Sequence, residues 1–268
     1  MAELTLDRAW PDVFTPAEGR ALSAVQGPPQ IWRARQRLIR ADIPLSDSLY
    51  LTEGFLGRYR ADRLGRRQFL GLQIPGDYVD LPAYALGHLD HDIDAISDAV
   101  VRHTPHDRIR ALRSQAPDTF QKLWRISLID ASIHRYWIFR VGRLAGRARI
   151  ANFLCEMLLR LYSRGLCPID GFELPLTQID LAEICGMTSV HANRMVAELR
   201  AEGICTFAQG EVRVTQLARM FRAAQFSTDY LYLPAEVERE LAARLGDAAP
   251  GGNRALPDPG TRTSAAGQ

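Results

Sequence analysis

The stretch Leu174–Ile204, LPLTQIDLAEICGMTSVHANRMVAELRAEGI, constrains the chain more than any other. Thr177 is placed to cap a helix, and Asp180, three residues on, completes a capping box that satisfies backbone donors left free at a helix start. Leu181, Ala182, Ile184 and Cys185 give this helix a buried side. Gly186 falls where a tight inter-helix turn needs a left-handed residue. A second helix is expected from Thr188 or Ser189, burying Ala192, Met195, Val196 and Leu199. Two short helices joined at a glycine, with apolar residues on mutually facing sides, form a helix–turn–helix. On pattern alone, an αα-hairpin in an ordinary helical domain is the alternative.

The outward face of the second helix carries Ser189, Val190, Asn193 and Arg194, with His191 beside them. Those side chains suit a DNA major groove: arginine forks onto guanine, asparagine pairs with adenine, and valine meets the thymine methyl group. After Gly203, the alternation in ICTFAQGEVRVT, residues 204–215, turns at Gln209-Gly210 and predicts a β-hairpin wing.

Upstream, Pro117 opens the longest helical pattern of the chain, running to about Ser163 and divided near Gly142 and Gly146. Phe120, Trp124, Ser127, Ala131, His134, Ile138, Val141 and Ala145 recur with 4-3-4-3 spacing. Such a stripe is buried against a partner helix, so Phe120 to Val141 predict a dimer seam; packing against the chain's own β domain is the alternative. The segment PHDRIRALRSQ predicts a shorter helix, with Thr104 as N-cap and Pro105 at its first position. Between residues 30 and about 101 the texture differs. Short apolar runs (SLYLT, FLGRY, QFLGLQI) are punctuated by Gly, Pro and Asp, with turns at Gly65 and Gly76-Asp77, as in an antiparallel β-roll or barrel. TPAEGRALSAV, ending before Gly27-Pro28-Pro29, reads as a short helix. The last residues, DAAPGGNRALPDPGTRTSAAGQ, lack periodicity and read as a disordered tail. The chain therefore divides into an N-terminal segment (1–29), a β-roll (30–116), a long helix (117–145), a winged helix–turn–helix unit (146–246) and the tail (247–268).

Composition excludes little beyond extremes. Of 268 residues, 47% are hydrophobic and 24% charged, which permits a sizeable core. No apolar run reaches membrane-spanning length, and the start MAELTLDRAWPD lacks a basic-then-apolar signal, so a cytoplasmic protein is expected, with no membrane partner. Net charge is only +2, yet residues 68–101 hold six aspartates and no Lys or Arg, while residues 102–164 hold twelve arginines and Lys122 against four acids. Cys155, Cys167, Cys185 and Cys205 lie 12, 18 and 20 residues apart, without the close pairs of a zinc site, and read as small hydrophobes.

Taken together, LTQIDLAEICGMTSVHANRMVAELRAEG and the upstream IHRYWIFRVGRLAGRARIANFLCEMLLRL resemble the Crp–Fnr family of bacterial transcription regulators, over about residues 30–233. The resemblance implies an α+β chain: an N-terminal antiparallel β-roll of the cyclic-nucleotide-binding, jelly-roll type, a long dimerisation helix and a C-terminal winged helix–turn–helix. It implies a homodimer on double-stranded DNA, with RNA polymerase as a further partner if the protein activates transcription, and no enzymatic activity. By the same resemblance Arg194 matches the base-reading arginine; Ser189, Val190 and Asn193 fall at neighbouring contact positions; Thr177 and Gln178 match the phosphate-touching start of the preceding helix. Val190 stands where many members carry glutamate, so the best-known operators do not transfer.

Cyclic-nucleotide-binding members carry a Gly-Glu pair early in a short cassette and an Arg-Ser or Arg-Thr pair late in it. Here Val79-Asp80 replaces the first, and Leu89–Ile96 contains no arginine for the second. A phosphate would meet aspartates without a cationic partner, so no cyclic nucleotide is expected. An effector-unknown branch of the family shares a similar Asp-His-Asp segment. No cysteine precedes Cys155, against an oxygen-labile cluster, and no residue singles out a haem; no cofactor or metal is expected. The competing reading is a metal-dependent β-roll enzyme or metal sensor built on His88, Asp90, His91 and Asp92, because imidazole and carboxylate together bind divalent metals.

Overall fold

A computed structural model describes residues 3–246; the tail read from residue 247 onward lies outside the described residues. Two short helices come first, α1 (Leu6–Ala9) and α2 (Pro16–Val25), the second closed by a complete capping box between Thr15 and Glu18. The strands β1 (Pro29–Trp32), β2 (Arg37–Ile39), β3 (Asp47–Glu53), β4 (Leu56–Ala61) and β5 (Arg67–Gln73) follow. After α3 (Ala83–Leu86), β6 (Asp92–Ala95) and β7 (Ala99–Pro105) complete the strands of this half. All pairings are antiparallel, in two sheets ordered β1-β7-β3 and β2-β6-β4-β5.

The sheets close on one another because β3 alternates: Leu49 and Leu51 enter the interior with Ile39, Leu56, Ile93 and Val101. Tyr50 points the other way, into a cluster with Leu6, Phe14, Tyr78 and Ile109. Thr104 belongs to β7 rather than capping a helix; its hydroxyl lies 3.0 Å from the Tyr78 hydroxyl. The next helix, α4 (His106–Gln115), instead has Pro105 at its N-cap, with no side-chain cap.

The long helix, α5 (Pro117–Arg143), ends at Leu144-Ala145, and α6 (Gly146–Tyr162) starts at the second of the glycines expected to divide it. From Ile150 to Leu161 every residue of α6 is buried, which makes it the central rod of the C-terminal half. Around it lie β8 (Gly171–Glu173), α7 (Gln178–Ile184), α8 (Ser189–Ala201), β9 (Cys205–Ala208), β10 (Glu211–Val214), α9 (Leu217–Ala224) and α10 (Ala235–Leu245). The expected hairpin is β9–β10, but β8 pairs with the other side of β10, making a three-stranded wing sheet. One apolar cluster runs from Phe69, Leu72 and Ile74 of the roll through Ile133 and Trp137 of α5 to α6 and the C-terminal helices.

Candidate nucleic-acid interface

The turn between α7 and α8 is built as its residues dictate. The Thr177 hydroxyl accepts from the Asp180 amide at 3.1 Å, and the Asp180 carboxylate accepts from the Thr177 amide at 2.9 Å. Gly186 sits at φ +58°, and the Thr188 hydroxyl accepts from the His191 amide to start α8. Ala192, Met195 and Leu199 are buried, Val196 only partly so.

What remains outward is the surface singled out from the sequence. Val190 is 80% exposed, and Asn193, Arg194, Thr177 and Gln178 are exposed as well; Ser189 and His191 are half-buried. Asn193 Nδ2 donates to Gln178 Oε1 at 2.8 Å, which joins the two helices across the reading face. The Arg194 guanidinium is 3.0 Å from His191 Nδ1 and 4.0 Å from Glu198, two exposed contacts it can exchange for a guanine edge. His191 leans instead against Gly146 at the start of α6, where any larger residue would strike its ring. In the wing, Gln209 and Gly210 both take positive φ, the geometry of a tight two-residue hairpin turn. Ile179, 61% exposed on α7 beside Gln178, had no signal in the sequence pattern.

The long-helix stripe divides. Trp124 and Ile138 are 45% and 74% exposed, and Ser127 and Ala131 lie half-buried between them. Phe120 packs beside Tyr84, His134 faces the roll and Val141 faces Gly186 of the reading unit. Ala145 caps α6 rather than belonging to α5. Leu128 and Phe139, absent from the expected stripe, are 56% and 45% exposed on the same side as Trp124. The face turned to the protein's own core is a different one, with Leu123, Ile126, Ile133 and Trp137.

Between roll and α5 lies a polar cluster. Arg58 donates to Asp130 at 2.6 Å, lies 2.8 Å from His134 Nε2 and also bonds the Val79 carbonyl. Burial and the charge of Arg58 hold the His134 imidazole down at about 4, hence neutral. Asp80 is buried; its Oδ1 accepts from the Leu49 amide at 2.7 Å and its Oδ2 has no partner. Burial pushes this carboxyl up to about 7, against the pull of that amide and of Arg58.

The aspartate-rich segment is not the unpaired negative field expected of it. Asp77 binds Arg160 and Arg164, Asp90 binds Arg60, Asp92 and Asp94 bind Arg37, and Asp98 binds Arg33. His88, Asp90, His91 and Asp92 do not converge. Asp90 is spent on His91 and Arg60, His88 is exposed, and among the described residues no group of three or more His, Cys, Asp and Glu could hold a metal. Cys155, Cys185 and Cys205 are buried and Cys167 is half-buried, all as free thiols.

A β-roll, a long helix with an exposed apolar side and a winged helix–turn–helix define a class: the chain carries a Crp-like helix–turn–helix domain and is similar to transcription regulators of the Crp–Fnr type. Residues 148–222 match the Crp-like helix-turn-helix domain. The transcriptional activator protein FnrL of Cereibacter sphaeroides is 28% identical over 169 residues, 62% of this chain and 67% of that one. The nitrogen fixation regulation protein FixK of Bradyrhizobium diazoefficiens is 24% identical over 180 residues, 66% and 73% of the two chains. The fold is that of FixK2 from Bradyrhizobium japonicum, at a TM-score of 0.67 and 22% identity over 74% of this chain and 97% of that one. A CRP-family regulator of Thermus thermophilus follows at 0.59 and 19%, over 73% and 96%. No helix among the described residues is long and apolar enough to cross a membrane.

Proposed function

We propose that the protein binds an inverted-repeat operator as a homodimer, each α8 entering a major groove and the two half-sites lying about one helical turn apart. The observation that carries this reading is the exposure of Val190, Asn193 and Arg194 on a capped helix whose opposite face, Ala192, Met195 and Leu199, is buried. In this reading Arg194 and Asn193 read base edges, Ser189, Val190 and His191 flank them, and Thr177 and Gln178 meet the backbone. The exposed side of α5 supports the dimer: Trp124, Leu128, Ile138 and Phe139 form an apolar strip too large for a surface helix to leave in water without a partner. Phe120, Ser127 and Ala131 border it, while His134 and Val141 serve the chain's own packing.

The same reading makes the protein unresponsive to cyclic nucleotides, because Arg58 is committed to Asp130, His134 and Val79 and the Asp80 carboxyl is turned inward. A DNA-binding regulator works where the chromosome is, so it belongs in the cytoplasm. Relatives named as activators make RNA polymerase the further partner to test. Selection of bound sequences from a random duplex pool, with purified protein and no added ligand, tests the whole. Enrichment of an inverted repeat is expected; no enrichment by folded dimer, with or without cell extract, would overturn the reading.

A further inference from the structure

The reading unit is fastened to the roll by two ionic contacts of different character. The first is buried: Arg160 of α6 and Arg164 just beyond it both hold Asp77 of the β5–α3 loop, at 2.7 and 2.6 Å, and donate to the Leu72 and Pro75 carbonyls. The second is at the helix–turn–helix itself. Arg35, in the β1–β2 turn, grips Asp180 of α7 with both terminal nitrogens, at 2.9 and 2.8 Å. Arg67 of β5 reaches Asp180 at 3.3 Å and Glu183 at 2.8 Å. Burial alone would raise the Asp180 carboxyl, yet Arg35 and the Thr177 cap hold it down at about 2, so the contact is charged at any neutral pH.

Arg35 has a further oddity. Its backbone stands at φ +71°, a conformation that costs a residue with a Cβ and that glycine would adopt freely. A strained arginine whose side chain crosses to another structural unit indicates a use for that side chain. The contact leaves the reading face open, since Asp180 and Glu183 face the roll while Gln178 faces Asn193. A contact that silenced DNA binding would cover that face.

We propose that Arg35 and Arg67 are positioning residues for DNA recognition: by holding Asp180 and Glu183 they fix α7, and through the capped turn α8, in one pose relative to the roll. The proposal rests on the reading of α8 as the recognition helix and adds to it what orients that helix. Each α8 in a dimer must meet its half-site at a fixed separation, so a freed α7–α8 pair would lose operator affinity before it lost general attraction to DNA.

The test uses the full-length chain and three variants, Arg35→Gln/Arg67→Gln, Arg67→Glu, and Arg67→Glu/Glu183→Arg. Affinity is measured for a selected operator and for scrambled duplex. Spin labels on Leu64→Cys of the β4–β5 turn and Arg222→Cys of α9 report the distance between units. Expected are an operator affinity about tenfold lower in the double-glutamine variant, unchanged affinity for scrambled DNA, a broadened distance distribution, and recovery in the charge swap relative to Arg67→Glu. Equal losses on both duplexes with an unchanged distance would make the arginines direct phosphate ligands and overturn the proposal. A gain in operator affinity would make the contact inhibitory and overturn it equally. Unchanged affinity in all three variants, with Arg194→Ala still losing operator, would sink the proposal and leave the recognition helix standing; no effect of Arg194→Ala would sink the reading beneath it.

Discussion

At the scale of single residues, the reading surface and the buried polar cluster make opposite demands on charge. The proposed base-reading role suits Arg194 because its present contacts are weak: a half-buried imidazole and a carboxylate 4.0 Å away would give up little to a guanine. Arg194→Ala should cost about 1–3 kcal/mol of operator binding and relax preference at one base pair per half-site, read by repeating the sequence selection. Arg194→Lys should recover the charge without the fork, and so without the base preference. Asp80 lies at the other extreme. Its carboxyl, pushed up to about 7 when folded against about 3.8 when free, keeps its proton in the folded state while the unfolded chain loses one. Stability from this group is therefore complete below about pH 4 and declines as pH rises to about 7. Asp80→Asn should flatten that decline, by an amount on the order of a few kcal/mol, in denaturation midpoints taken from pH 5 to 8. His134, held down at about 4, works in reverse: its contribution is lost as pH falls from about 6.5 towards 4, and His134→Gln should remove that acid-side slope.

At the scale of elements, local chemistry was legible and long-range pairing was not. The Thr177–Asp180 box, the left-handed Gly186 and the Gln209-Gly210 turn are each decided by neighbours within a few residues, and each stands where the sequence places it. The three-residue β8 has no period long enough to read, and it becomes a strand only because β10 is there to pair with it. The long helix misleads for a different reason. It is apolar on two sides, so a 4-3-4-3 spacing fits more than one register; the stripe includes Trp124 and Ile138 but not Leu128 and Phe139 beside them. Arg140 and Glu156 escape any periodicity argument, since a charged residue marks a solvent face until its partner is known. Here the two meet fully buried between α5 and α6, with Trp137, Asn152 and Tyr230 adding hydrogen bonds, while Arg140 Nη1 is left without a partner. The cap is the cheapest element to test. Thr177→Ala removes one hydroxyl from the start of α7 and should lower stability by about 1 kcal/mol, seen as faster amide exchange across α7 with the roll unaffected.

At the scale of the whole molecule, the roll, the long helix and the reading unit are joined so that a change in one is felt in the others. Asp77 is the buried joint: it pairs with both Arg160 and Arg164, so Asp77→Asn strands the Arg164 guanidinium away from water and leaves Arg160 only Glu156, at 3.6 Å. Breaking a buried pair in this way costs about 3–5 kcal/mol, and the loss should show as a lower midpoint for the whole chain rather than for one half. The exposed side of α5 is the proposed dimer seam. Across a two-fold axis it would meet itself, Trp124, Leu128 and Ile138 packing against the same residues of a second copy, an isologous contact in which each substitution counts twice. Leu128→Glu/Ile138→Glu leaves Leu123, Ile133 and Trp137 on the inner side untouched, so the fold should survive while carboxylates oppose one another across the seam. Sedimentation should then give a monomer with unchanged secondary structure. Because each half-site contact no longer raises the effective concentration of the other, operator affinity should fall at least about 100-fold while scrambled DNA is bound nearly as before. A variant that stayed dimeric would place the two-fold axis on another surface and would separate the recognition helix, which would still read DNA, from the seam proposed to pair it.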